Sequence, residues 1–449
     1  MARVRGANGL GSLLRRRDFL VRSGLAIAGT GAAAYVAGRE LAGGSEEPRA
    51  QEGTGGAGAE FALDPAYVHL TSFLLAPHPR AVRDAIERHR RGLDANPKTY
   101  LFEHELELES RVLTAAAEYL GGSPEDIALT DSTTMGLGLV YGTLRLRPGE
   151  EVVTTEHDHY ATHESLRLRA ERTGASVRRI ALYRDIGSVT ADEIVESVRR
   201  AVRPHTRAVA LTWVHSSTGL KLPLAAIAQA LAELNAERGE GERVLLCVDG
   251  VHGFGAEDMA VAELGCDVFA AGCHKWLFGP RGTGIVWASP QGWSRVAAVI
   301  PTFDGRSYVA WIEGRAPDDL PPAAAMTPGG FHSFEHRWAL ADAFELHKRI
   351  GRRRAAAHVR RLAAALKDGL AGVRGVRVIT PRDEELSAGL VCFELGGLHA
   401  GEVVDRLLAE HRVIASVTPY ATEYVRLGPS LANSEDDVER ALRAVRALA

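Results

Sequence analysis

Four cysteines in 449 residues (Cys247, Cys266, Cys273 and Cys392) form no CxxC pair and no metal-ligand spacing, so the chain carries neither a disulfide framework nor a zinc module. Cys247 and Cys392 lie in apolar runs, as buried thiols do. A net charge of −4 leaves no basic surplus for nucleic acid. Gly24 to Val36 is an apolar run of about 13–15 residues, short of the about 20 needed to cross a bilayer. There are no internal repeats.

What is present is ordinary for a globular chain: 46% hydrophobic and 24% charged residues, with length for a large domain plus a smaller one. The first residues differ. Arg15-Arg16-Arg17-Asp18-Phe19-Leu20 precedes the Ala/Gly-rich run, the order of a secretory signal, and the pair Arg16-Arg17 resembles a twin-arginine signal. The competing readings are a basic tail or an uncleaved anchor. No cysteine follows the run, which argues against a lipoprotein. Residues 1–38 hold six arginines and one aspartate, a net +5, so the remainder would stand at −9. The expectation is export, to the periplasm or beyond, with no stable membrane span in the mature chain. Residues 39–60 are Gly-, Glu- and Ala-rich and read as a linker. The division expected is a large domain over residues 61–330 and a small one over 331–449.

Phe61 to Leu75 is a short mixed segment. Helical periodicity covers Pro77–Arg91 and Glu103–Tyr119. Short apolar runs then recur at Ile127–Thr130, Glu151–Thr155, Val177–Leu182, Ala208–Val214, Val244–Asp249, Asp267–Gly272 and Gly284–Ala288, mostly alternating with amphipathic stretches such as Ala191–Val202 and Leu224–Glu237. That alternation predicts an α/β fold with a largely parallel seven-stranded sheet. The last two runs are joined only by a short loop, which predicts an antiparallel pair. Gln291–Gly330 reads as loops. Two helices, Ser333–Ile350 and Arg354–Leu370, lead into an α+β tail of strands at Val376–Ile379, Gly389–Leu395, Val413–Val417 and Tyr424–Leu427, with helices at Gly401–His411 and Glu435–Leu448. Asn433 or Ser434 caps the last helix.

The chemistry gathers at the ends of the apolar runs. Lys275 stands alone among small, apolar and aromatic residues, ahead of Gly279-Pro280-Arg281-Gly282. Burial would favour its neutral amine, the form that attacks a carbonyl. Taken singly, it reads as a surface lysine. Asp249 ends a buried-type strand, where an aspartate ordinarily caps a loop and where ligands of open parallel sheets bind. His252 follows three residues later. Ser132-Thr133-Thr134 begins a helix after the first sheet strand and is equally an N-cap or an anion site. His157, Asp158, His159 and Tyr160 follow the next strand; His157, His159 and His163 suggest a metal trio, discounted for want of a second cluster. His215 and Ser216 end a fourth. An anion site, flat-ring partners, a carboxylate, a histidine and a desolvated lysine are the set that a phosphorylated aromatic aldehyde asks for.

In the order Asp249-x-x-His252, His274-Lys275-Trp276, Gly279-x-x-Gly282, the chain from about Phe61 to Ala449 resembles the class V aminotransferases of the fold-type I pyridoxal 5'-phosphate (PLP) enzymes, the group of cysteine desulfurases and isopenicillin N epimerase. The resemblance implies PLP as cofactor, Lys275 as Schiff-base lysine, Asp249 as partner of the pyridinium nitrogen and His252 near the phenolic oxygen. It implies His157 as the ring-stacking residue, Thr133, Thr134 and His274 as phosphate ligands, Arg426 as the grip on the substrate carboxylate with His215 beside it, and a homodimer.

There are departures. Gly272 stands where desulfurases have a phosphate-binding serine, and Ser216 where many members have asparagine. The segment Gly329–Ser333 lacks the threonine that reaches a neighbouring subunit. No cysteine lies in Ser416–Glu423, where desulfurases carry their nucleophile, which leaves the isopenicillin N epimerase-like branch closest. The expectation is an enzyme acting on a small amino-acid substrate, in the order epimerase, lyase, transaminase. A non-catalytic binding protein of the same fold is the alternative from another class. His157, Tyr160, His215 and Tyr420 are candidates for a second base.

Overall fold

The computed structural model of the chain describes residues 60–449; the signal and all but the last residue of the linker lie outside them. Strand β1 (Val68–His69) is followed by helices α1 (Arg80–Ala95) and α2 (Pro97–Leu120). Then come β2 (Ile127–Thr130), α3 (Thr133–Thr143), β3 (Glu151–Thr155), α4 (Tyr160–Thr173), β4 (Ser176–Ile180), α5 (Ala191–Ala201), β5 (Thr206–Thr212), α6 (Leu224–Asn235), β6 (Leu245–Asp249), β7 (Val268–Gly272) and β8 (Gly284–Ala288). Three short helices, α7 (Pro290–Ser294), α8 (Gly305–Glu313) and α9 (Pro322–Met326), occupy the stretch read from sequence as loops. Each is only one to three turns long, too short for apolar periodicity to show.

The central sheet has seven strands in the order β2-β8-β7-β6-β5-β3-β4. All run parallel except β8, which is antiparallel to both β7 and β2, as its short connection predicts. All the sheet's strands but the edge strand β4 are buried on both faces, and alternate residues feed two separate cores. Val209, Leu211, Leu246, Val248 and Phe269 join one cluster, while Ala208, Ala210, Leu245, Cys247 and Val268 join the other. The period of two that places successive side chains on opposite faces produces this division.

The chain continues through α10 (Phe334–Ile350), α11 (Arg352–Ala371), β9 (Val376–Val378), β10 (Val391–Leu395), α12 (Ala400–His411), β11 (Val413–Ile414), β12 (Ser416–Val417), β13 (Val425–Leu427) and α13 (Glu435–Leu448). The run read as one strand over Val413–Val417 is two, β11 and β12, which belong to different sheets. Ser434, not Asn433, caps α13: its hydroxyl accepts from Asp437 N–H and the Asp437 carboxylate accepts from Ser434 N–H. Asn433 instead bridges to Ser430 and to the carbonyl of His69.

Strands β12-β13-β10-β9 form an antiparallel sheet. Strand β1 pairs in parallel with β11, and Val68 and Leu70 sit in one core with Leu366, Phe393, Leu427 and Val445. The mixed segment before α1 therefore packs with the C-terminal sheet. Helix α10 goes the other way: its Leu340, Ala341 and Phe344 belong to the core under the large sheet. The consequence for function is that β13 and the loop before it hang over the carboxyl edge of the seven-stranded sheet.

Candidate active site

Parallel strands deliver their C-terminal residues to one edge, so Thr130, Thr155, Thr212, Asp249 and Gly272 all end there. Against this edge lies a cavity of about 180 Å³ lined by Ser132, Thr133, Thr134, His159, Thr212, Ser216, Asp249, His252, His274, Lys275 and Arg426, with Leu74, Ala161, Val251 and Pro419. Of the residues singled out from sequence, the structure brings together Thr133, Thr134, Asp249, His252, His274, Lys275 and Arg426. It leaves out His157 and His215.

Lys275 follows β7 in a tight turn, in which Phe278 N–H donates to the Lys275 carbonyl and Phe278 adopts φ 57°. Burial lowers its ammonium below the usual lysine range; the Asp249 carboxylate opposes this and Arg426 adds to it. Asp249 is 2% exposed. Burial raises its carboxyl, against the pull of Val251 N–H, which donates to Oδ1 at 3.0 Å, and of Lys275. A carboxylate so short of solvent is stabilised by a positive ring N–H.

His252 is held from behind. Trp276 Nε1–H donates to its Nδ1 at 3.3 Å. With Nδ1 accepting, the neutral ring carries its proton on Nε2. Burial, then Lys275 and Arg426, keep the ring neutral.

The anion site is built on the start of α3. Ser132 caps it by accepting from Met135 N–H at 3.2 Å. The N–H groups of Thr133 and Thr134, in the first turn, have no intrahelical acceptor. Gly272 N–H donates to Thr133 Oγ1 at 2.7 Å. A β-carbon at 272 would meet His274 Cε1 at 2.8 Å and Thr133 Oγ1 at 3.1 Å. A serine here would have to displace the His274 ring that folds over the glycine. The His274 Nδ1 is buried without a partner, as is Thr212 Oγ1.

Arg426 reaches the cavity from β13 and is 3% exposed. Its Nε donates to Ser416 Oγ and its Nη1 to the Ser216 carbonyl, both at 3.1 Å, and its guanidinium lies 4.6 Å from the Phe73 ring centroid. Two hydrogen bonds and one ring fix the fork, and among the described residues Nη2 has no partner.

The two displaced residues have definite places. His157 stacks on Tyr183 at 4.4 Å and 8°, away from the cavity. His159 lines it instead. Asp158 decides which histidine points in. Its Oδ1 accepts from Thr212 N–H, and its Oδ2 from Thr154 Oγ1 and Thr155 N–H, at 2.7–2.8 Å. That carboxylate locks the turn after β3, and His159, as the N-cap of α4, accepts from Ala161 N–H through Nδ1. His215 is fully buried with both ring nitrogens unpartnered, 5.5 Å from His157, and burial lowers it to about 4. Its neighbour Ser216 faces the cavity. Thr212 was missed from sequence, and Ser132, His159 and Ser216, though noted at the helix start and the strand ends, were not placed among the cofactor or substrate ligands. The signal that would have found Thr212 is its position level with Asp249 on the neighbouring strand.

All four cysteines are free and buried, with their thiols raised by burial, and none lines the cavity. A lysine and a carboxylate at the edge of a parallel sheet, beside a helix N-terminus and two unpartnered polar atoms, are a donor set that fits PLP.

A doubly covered, mostly parallel sheet with this edge site and a smaller C-terminal unit defines the fold-type I architecture. The chain belongs to the class V aminotransferase family: residues 76–440 match the family described as Aminotransferase class-V. It is 27% identical over 399 residues to the isopenicillin N epimerase of Streptomyces clavuligerus, covering 86% of this chain and 96% of that protein. It is 29% identical over 349 residues to a cysteine desulfurase of Klebsiella pneumoniae, covering 75% and 80%. Among solved structures, a C-DES mutant with glycine covalently linked to its PLP cofactor superposes with a TM-score of 0.77 at 20% identity, over 86% of this chain and 98% of the other.

Proposed function

We propose that this chain is a PLP-dependent enzyme acting at the α-carbon of an amino-acid substrate, with an epimerase-like outcome ahead of elimination and transamination. The observation that carries this reading is a single cavity shared by the Lys275 amine, the Asp249 carboxylate and the Arg426 guanidinium. Bound PLP supplies the electron sink for a proton leaving the α-carbon. Lys275, with its lowered pKa, holds the cofactor and then serves as base. With PLP bound, Asp249 would keep a ring nitrogen protonated and His252 would offer its Nε2–H to the ring. The first turn of α3, Thr133, Thr134 and His274 would hold the phosphate, and His159, which lines the cavity where His157 does not, would cover the ring. Arg426 takes the substrate carboxylate. Sulfur transfer is disfavoured because no thiol lines the cavity. A non-catalytic role would leave the lysine, aspartate and arginine without a purpose.

The test is the visible absorbance of the purified protein with PLP, and borohydride trapping at Lys275. A colourless wild type, or the same adduct in Lys275→Ala, ends the enzyme reading. Incubation with an amino-acid panel in deuterated water separates the outcomes: inverted configuration with deuterium, keto acid, or elimination product.

We also propose a homodimer. Val299, Ile300, Phe303, Trp311 and Phe331 are exposed, and Gly329 N–H to the Pro301 carbonyl ties their two segments together, a patch of the kind that a second copy covers. Sedimentation at micromolar concentration checks it. We propose export through residues 1–38, on the strength of Arg16-Arg17 and the short apolar run; Arg16→Lys with Arg17→Lys should retain the protein in the cytoplasm.

A further inference from the structure

We propose that Tyr420 is the second proton-transferring group of this cavity, acting on the substrate α-carbon from the side opposite Lys275; this rests on the reading of the site as acting at that carbon. The sheet order β7-β6-β5-β3 sets Asp249 between two walls. Lys275, after β7, forms one. Ser216, after β5, and His159, after β3, form the other. Tyr420 backs onto the second wall, next to Pro419, which lines the cavity. Its hydroxyl lies 2.7 Å from Ser216 Oγ, and its ring meets that of His159 edge-on at 6.4 Å and 75°. The Ser216 carbonyl accepts from Arg426 Nη1, so the group that grips the carboxylate adjoins the partner of Tyr420.

The other candidates fall away on geometry. Tyr160 is 70% exposed, His157 is committed to Tyr183, and neither ring nitrogen of His215 bonds to any described residue, whereas Tyr420 is bonded to the wall residue Ser216. His159 spends its Nδ1 lone pair on Ala161 N–H and has no free basic nitrogen. Burial raises Tyr420 to about 12, so it rests as a neutral phenol able to give a proton.

The step balances without a redox partner. Lys275 takes the α-proton: a C–H bond breaks and an N–H bond forms, with the electron pair held by bound PLP. The Tyr420 O–H breaks as a C–H forms on the other face, leaving a phenolate that the Ser216 hydroxyl stabilises. The reverse reaction uses the pair in the opposite order, and exchange with solvent returns both groups to their resting forms.

The test uses the holoenzyme with the panel amino acid that it inverts. In Tyr420→Phe, deuterium exchange with retention should outpace inversion by at least about 100-fold relative to wild type; inversion and exchange that fall together, or not at all, overturn the proposal. An independent readout uses the cofactor-free protein with 3-fluorotyrosine at 420. Ser216→Ala should raise the titration midpoint of the fluorine resonance, because the phenolate loses a donor; an unmoved midpoint counts against the pairing. A wild type that exchanges but never inverts sinks the role of Tyr420 alone. A wild type that exchanges no α-proton sinks the reading of the site, and this proposal with it.

Discussion

Trp276 Nε1 lies 3.3 Å from His252 Nδ1, and the indole N–H thereby selects which imidazole nitrogen faces the cavity. Trp276 is fully buried and follows Lys275 directly, so the cavity lysine and the group that sets the tautomer of the facing histidine are adjacent residues. Trp276→Phe should mix the two His252 tautomers, read from imidazole ¹⁵N shifts in the cofactor-free protein. Turnover should fall about fivefold, the worth of one hydrogen bond.

Arg426→Lys should raise KM for the amino-acid substrate by about 10- to 100-fold, since an ammonium lacks the planar fork that Ser416 and Ser216 orient. Uptake of PLP, followed by absorbance, should change little, because Arg426 is assigned to the substrate and not to the cofactor.

Attachment of PLP to the cofactor-free protein needs the neutral Lys275 amine. Burial lowers its pKa, so the rate of attachment should level off at a pH below the ordinary lysine range. Stopped-flow absorbance across pH 6.5 to 10 measures it; a midpoint at the free lysine value would show that the amine is solvated.

His347, fully buried beneath the Tyr119 ring, is lowered by burial from 6.5 to about 4. Between those values the unfolded chain binds a proton and the folded chain does not. Stability is therefore full above about pH 6.5 and is lost as pH falls toward 4. By pH 5 the loss from this one group is about 2 kcal/mol. His347→Leu should lessen the fall in unfolding free energy between pH 7 and 5, measured by urea denaturation, by about that amount.

Most of the sheet was legible because buried parallel strands are continuous apolar runs. Ile127–Thr130, Glu151–Thr155 and Gly284–Ala288 begin and end where the structure has them. Strand β4 is an edge strand with a polar burial pattern, and its limits shifted to Ser176–Ile180. Strand β1 was illegible: two residues that pair with a strand more than 300 positions away leave no local period. Helices α7, α8 and α9 were hidden for the related reason that one to three turns are too few to repeat.

The residue types at the strand ends, and hence the chemistry available at the cofactor edge, were determined by the sequence itself. Asp249, and Lys275 and His252 a few residues past their strands, stand where a parallel sheet must deliver them, because strand direction alone carries a strand's end to the same edge; Arg426, on β13 of the antiparallel C-terminal sheet, arrives only through the packing of that sheet over the edge. Which of two neighbouring histidines enters the cavity was decided only by tertiary structure. His157 and His159 share the turn after β3, and their side chains part because Asp158 is fastened to β3 and β5 by three hydrogen bonds. The same holds for Gly272, whose missing side chain makes room for the His274 ring, and for Tyr420, which meets Ser216 across 204 residues of chain. Such contacts depend on where separate elements come to rest against each other, and no spacing along the chain encodes that distance.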